Sequence, residues 1–292
     1  MGNLDKKQPL RHHFQKHAHQ PFNIGQMIRL GLPYYIRYMN ENDLSKNLAL
    51  QAHVLDNLKK ADKTHYIIKK DESYLRKFLM KGNAIIGTFL HKGTPGLQDR
   101  LAAHMLIVYP QTEKESGLAD PTLLPDKDME TISVVSNILV HDDFRGNKLM
   151  QIMMDEWLKI AAADGKQHAI AEICVDNEFS WGVFVDCGFS IYAHGYDARD
   201  GSHNVYVHKP LDRKFLYSND PGDTITLQLF DNEKGVLIES AHERLKDLLN
   251  QGFHGVHFDR KTRGLLLKKC TGIAPIPKAN IPAPGNDNII PK

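Results

Sequence analysis

The chain has 292 residues, enough for one large domain or two small ones with a sizeable apolar core. Hydrophobic residues make up 41% and charged residues 25%, the balance of an ordinary globular protein. With 37 Lys+Arg against 35 Asp+Glu the net charge is only +2, so no general attraction to nucleic acid or an anionic membrane is expected. The three cysteines, Cys174, Cys187 and Cys270, contain no CxxC pair, which argues against a disulfide framework and a structural zinc site. No apolar run approaches the roughly 20 residues of a membrane span, and the polar start lacks a signal-peptide core. Met1-Gly2 opens like a myristoylation site, but Lys6 stands where Ser or Thr is needed. The expectation is a cytoplasmic protein with no metal.

Residues 1–24 carry His12, His13, His17 and His19 and read as a solvated arm rather than a metal-binding tract. Helical spacing of Leu44, Leu48, Ala52, Leu55 and Leu58 predicts a helix over 42–61, capped by Asn42 or Asp43. A shorter helix follows over 73–81, stopped by Gly82. Apolar runs at 83–90, 100–109 and 131–140 predict three strands. Helical period returns over 144–163, a strand is expected at 168–175, a short helix at 177–187, and a closing strand pair at 189–194 and 204–209. This order predicts an α/β (α+β) fold for residues 25–210, a mixed central sheet with helices on both faces. Residues 211–271 read as a small β-α-β-β module whose helix opens on a capping box of Ser240 and Glu243. The Pro-rich stretch 272–292 is expected to be disordered.

One junction stands out chemically. A buried strand ends at Ile138-Leu139-Val140, and a polar turn leads through Arg145, Gly146, Asn147 and Lys148 to Leu149 and Met150, with a helix expected to begin near Arg145. A helix N-terminus presents unpaired N–H groups and a positive dipole end, which favour an anion such as phosphate. Gly146 would let a ligand approach the backbone closely. This run resembles the coenzyme A loop of the GNAT acyltransferases, Arg/Gln-x-x-Gly-x-Gly/Ala, with Arg145 in first position. Lys148 and Met150 replace the family's small residues, and Lys148 is expected to compensate as a phosphate ligand.

A second stretch resembles the family's next motif, a strand followed by Asn-x-x-Ser/Ala, a short helix and Gly-Phe: Asn177, Ser180 and Gly188-Phe189 fall in step. The resemblance implies a fold of GNAT type and an acetyl-CoA or coenzyme A cofactor. The cofactor would be held by Ile138, Leu139, Val140, Arg145, Gly146, Asn147, Lys148, Leu149, Met150, Asn177, Ser180 and Phe184. Asn177 also fits a helix N-cap. The implied reaction is transfer of an acetyl group to a primary amine by direct attack in a ternary complex. A base is needed because an alkyl amine, with pKa near 10.4, attacks only when neutral. By resemblance Glu172, five before Asn177, is the candidate base, and Ser136 the alternative. The family often has a tyrosine acid seven after the asparagine, where this chain has Phe184; Tyr192 or Tyr196 could replace it, although packing is their plainer role.

The acceptor, a small-molecule or protein amine, would enter near Tyr34, Tyr35, Tyr38 and Glu41; a helix packing its own tyrosines is the plainer expectation there. The module after residue 210 is expected to brace the sheet or to form a homodimer contact. The rival function is an acyl-CoA-binding sensor or scaffold without turnover, and neither nucleic acid nor membrane is expected as a partner.

Overall fold

The structure, a computed structural model, describes residues 20–61, 63–91, 96, 99–199 and 201–276. The histidines expected in the N-terminal arm and most of the Pro-rich end lie outside the described residues.

The first element was not expected. Strands β1 (Asn23–Gln26) and β2 (Pro33–Tyr38) form an antiparallel hairpin at one sheet edge, within the stretch read as arm and tyrosine-bearing helix. Aromatic and β-branched residues suit a pleated strand. Tyr34, Ile36 and Tyr38 alternate into one core, whereas Tyr35 donates its hydroxyl to Asp99 on the other side. Helix α1 (Leu44–Lys60) follows a 3-10 turn over Glu41–Asp43. Its lead-in is capped by Asn40, not by Asn42 or Asp43, because Asp43 is taken by the buried Arg37 guanidinium at 2.7 and 2.8 Å. Helix α2 (Glu72–Met80) begins where Asp71 accepts from the Tyr74 amide, and Gly82 follows it at φ +78°.

Strands β3 (Ala84–Leu90), β4 (Leu101–Val108) and β5 (Ile132–Val140) continue the sheet. β3 and β4 are buried along their whole length, so they read as apolar runs rather than alternating ones. Helix α3 (Leu149–Ala163), strand β6 (His168–Cys174), helix α4 (Glu178–Asp186), and strands β7 (Ser190–Asp197) and β8 (Ser202–Pro210) follow. The C-terminal unit adds β9 (Arg213–Tyr217), β10 (Thr224–Gln228), helix α5 (Glu239–Asn250), β11 (Phe253–Asp259) and β12 (Gly264–Pro275).

The sheet order is β1-β2-β3-β4-β5-β6-β8-β7-β11-β12-β10, with β9 on β12. Every strand pair is antiparallel except β5–β6. Helices cover both faces. α3, α4 and α5 supply Trp157, Phe184 and Leu245 to one core, and α1 and α2 supply Leu50, Val54, Leu75 and Phe78 to the other. Both tryptophans satisfy their ring N–H groups, Trp157 on Ser133 Oγ at 2.8 Å and Trp181 on the Val175 carbonyl at 2.9 Å.

The C-terminal unit differs from its expectation in three places. β9 precedes the predicted elements, and α5 begins at Glu239 after Ile238 with no side-chain cap, so Ser240 lies inside the helix. β12 runs on to Pro275, pairing with β9, so order extends into the stretch read as a disordered tail. Its backbone pairing with the main sheet is limited to one residue pair, Gly255 of β11 and Ile191 of β7, while Phe230, Phe258 and Leu267 join the core of α3 and α4.

Candidate functional site

The site follows from how β5 and β6 part. They pair in parallel from Ile132–His168 to Val135–Ala171 and no further. Beyond that point β5 stays on β4 and β6 stays on β8. The register of β5 against β4 slips between Val135 and Asn137, leaving Ser136 as the extra residue of a bulge. A bulge bends and twists its strand, which helps the two strands diverge. The gap forms a cleft of about 1450 Å³, lined by Ser136 to Val140 on one side and Glu172 to Cys174 on the other.

At one end lies the junction singled out in the sequence. His141 extends the sheet by donating to the Ala102 carbonyl, and Asp142–Phe144 form a 3-10 turn that buries the Phe144 ring. Arg145 is extended, Gly146 has φ +75°, and Lys148 has φ +58°. The helix therefore starts at Leu149, four residues later than expected from Arg145. The intervening residues are taken up by the 3-10 turn, which buries Phe144, and by the left-handed Gly146 and Lys148. The first bond of α3 runs from Ile152 N to Lys148 O, so the amides of Leu149, Met150 and Gln151 have no partner within the helix. No side chain caps that end. Lys148 holds a left-handed conformation usually left to glycine, and an L residue there costs about 1–2 kcal/mol.

Asn147 serves a different purpose from the one expected. Its side chain is buried and turned away from the cleft, whose lining it does not join. Its Oδ1 accepts from the amides of Arg29 and Leu30, and its Nδ2 donates to the Phe144 and Arg145 carbonyls. It ties the β1–β2 turn to the loop, and Arg29 lies directly over Gly146. Asn147→Ala is expected to lower stability by roughly 1–3 kcal/mol by removing its four hydrogen bonds and leaving the buried Phe144 carbonyl without its side-chain donor, read as a fall in the urea midpoint.

The other predicted residues do converge. Ile138, Leu139, Val140, Arg145, Gly146, Lys148, Leu149, Met150, Asn177, Ser180 and Phe184 all line the cleft, as do Ser136 and Glu172. Asn177 caps α4 by accepting from the Ser180 amide at 3.3 Å, so the N-cap geometry is present while the residue faces the cleft. Phe184 is buried against Phe189, edge to face. Tyr192 spends its hydroxyl on the Leu123 carbonyl, Tyr196 is exposed, and neither lines the cleft. Tyr34, Tyr35, Tyr38 and Glu41 lie outside it too.

Glu172 sits in a pocket of donors. Oε2 accepts from the Ala119 amide at 2.8 Å, and Oε1 accepts from Asn204 Nδ2 at 2.7 Å and the Tyr206 hydroxyl at 3.0 Å. Burial pushes its pKa up, and these three donors oppose the rise without cancelling it. The partners were missed in the sequence, although the alternation of β8 puts Ser202, Asn204 and Tyr206 on one face. Also missed was a cationic wall: Lys63, Lys70, Lys77, Lys114 and Arg199 line the cleft. Burial and the charge of Arg199 lower the Lys70 pKa.

No protein-family model matches the sequence, and no curated protein matches it. Among solved structures, the chain is similar to a GNAT-family acetyltransferase from Listeria monocytogenes at 18% identity and TM-score 0.49, covering 65% of this chain and 100% of that one. It is similar to yncA of Salmonella typhimurium, whose structure holds its cofactor acetyl-CoA, at 13% identity and TM-score 0.46, covering 68% and 99%. A GNAT-family acetyltransferase from Streptococcus pneumoniae gives 16% identity and TM-score 0.46, covering 61% and 99%.

Proposed function

We propose that the chain is a GNAT-type N-acyltransferase that binds acetyl-CoA in the cleft between β5 and β6 and passes the acetyl group to a primary amine. The observation that carries this reading is the divergence of β5 from β6 beside the uncapped start of α3. The open edge of β5 offers main-chain groups to an extended amide-bearing arm, and the free amides of α3 suit a diphosphate. The ammonium of Lys148 and the guanidinium of Arg145 stand at that end of the cleft, adding charge-assisted donors. Glu172 accepts the proton of the incoming amine, and the neutral amine attacks the thioester carbonyl directly. With Phe184 in place of an acid, the thiolate leaves unassisted, which a thiol with pKa near 8.5 tolerates. The lysine-lined wall favours an amine that also carries an acidic group.

The test is calorimetric titration with coenzyme A and acetyl-CoA, followed by thiol release over a panel of acidic, neutral and basic amines. Binding with turnover, strongest for amines bearing an acid group, is the expected result; no heat with either ligand would overturn the reading. Tight binding with no turnover on any amine would favour a sensor or scaffold, the role that Phe184 suggests. Lys148→Ala is expected to weaken coenzyme A binding by about 10–150-fold, the worth of one charge-assisted hydrogen bond. Unchanged affinity would remove Lys148 from the phosphate site.

A further inference from the structure

The β7–β8 hairpin carries Glu172's partners on one face, and its opposite face holds a cluster outside the cleft. In the hairpin register Tyr196 stands opposite His203 and His194 lies two residues before Tyr196, so His194 and His203 are diagonal neighbours on one face. Helix α5 packs on that face and presents His242 from its first turns, with 3% of the residue exposed. The His194 and His242 Nε2 atoms face each other at 2.8 Å. Ring centroids lie 4.9 Å apart for that pair, 5.4 Å for His194–His203 and 5.0 Å for His203–His242. One ring nitrogen from each of the three lies within 4.8 Å of the others.

We propose that His194, His203 and His242 form a binding site for a divalent transition metal of zinc type, which staples α5 of the C-terminal unit to the β7–β8 hairpin. An ion bound tetrahedrally at about 2.0–2.1 Å sets its nitrogen ligands roughly 3.4 Å apart. That spacing lies between the short His194–His242 contact and the bound on the whole set, within reach of small side-chain rotations. Glu239 and Glu243 make a separate group with His242, and Glu243 is held by Lys246 at 3.0 Å, so the fourth position of a tetrahedral ion falls to water. Three imidazoles select zinc and its neighbours over magnesium and calcium, which take oxygen ligands. A staple has a purpose here, since backbone pairing between the hairpin and β11 is a single residue pair. None of the three histidines lines the cleft, so the site stands or falls independently of acyl transfer.

The test is titration of the full chain with zinc chloride in a non-chelating buffer, beside His203→Ala. His203 is exposed, so its replacement leaves the fold intact. The N-terminal histidines are present in both proteins and cancel in the difference. The wild type is expected to take up one zinc ion more than the variant, or to bind it at least about tenfold more tightly. Its melting temperature should rise with zinc by a margin that the variant loses. Equal stoichiometry and affinity in the two proteins, or an equal thermal response to magnesium and zinc, would overturn the proposal.

Discussion

Glu172→Gln is expected to lower kcat by about 10²–10⁴-fold, the usual worth of a general base, while acetyl-CoA affinity stays nearly unchanged. The substitution keeps the shape of the side chain and removes its charge. The wild-type carboxyl, lifted by burial, must lose its proton before it can take one from the amine. Activity should therefore fall as pH drops toward that raised value, above the usual glutamate value near 4.3. In the variant this acidic limb should vanish. A structural role predicts otherwise, because Glu172 also pins Ala119 beside the cleft and holds Asn204 and Tyr206. If the variant loses stability yet keeps wild-type kcat and the same pH profile, Glu172 is a brace for that loop and the base lies elsewhere.

Acid should unfold this protein early. His104 is wholly buried on β4 with no hydrogen-bond partner for either ring nitrogen among the described residues, and burial holds its pKa down to about 3. His208, buried beside His168 and donating to or accepting from it at 3.0 Å, is also lowered to about 3. In the unfolded chain both return to about 6.5. Between those limits the unfolded state binds more protons, so stability rises with pH and is lost as pH falls below about 6.5. Two such groups cost about 2.7 kcal/mol per pH unit, which drains a typical stability of 5–15 kcal/mol within a few units. Glu172, with its raised value, works in the opposite sense: its contribution is full below the unfolded value and is lost as pH rises through the folded one. Urea midpoints measured from pH 7.5 to 4.5 check the slope. His104→Leu should lower it by about 1.4 kcal/mol per pH unit, one histidine's share, and raise stability at neutral pH by about 1–3 kcal/mol, because two buried, unsatisfied nitrogens disappear. An unchanged slope in that variant would show that His104 is not the group taking up protons.

Arg145, Glu172, Asn177 and Ser180 line one cleft; the junction at Arg145 was legible from its strand–turn–helix pattern, whereas Glu172, Asn177 and Ser180 came from the family resemblance. Alternation or unbroken apolarity marked β3 to β6, and helical spacing marked α1, α2 and α5. Local marks also misled. The turn after Val140 reads as passing into a helix near Arg145, where a 3-10 turn intervenes, and Ser240 and Glu243 matched a cap that α5 does not use. The hairpin of β1 and β2 was hidden because its tyrosines suit several environments and its pairing partner β3 lies some fifty residues away.

By itself the sequence determined the layer architecture and the strand–turn–helix junction at Arg145, since both depend on residues near one another along the chain. Tertiary structure alone decided three things. It turned Asn147 inward as a clamp on the β1–β2 turn, it surrounded Glu172 with donors from β8 and the Ala119 loop, and it gathered His194, His203 and His242 into one cluster. The physical reason is common to all three. Each depends on contacts between segments that become neighbours only when the sheet assembles, and periodicity within a segment carries no record of which distant segment will face it.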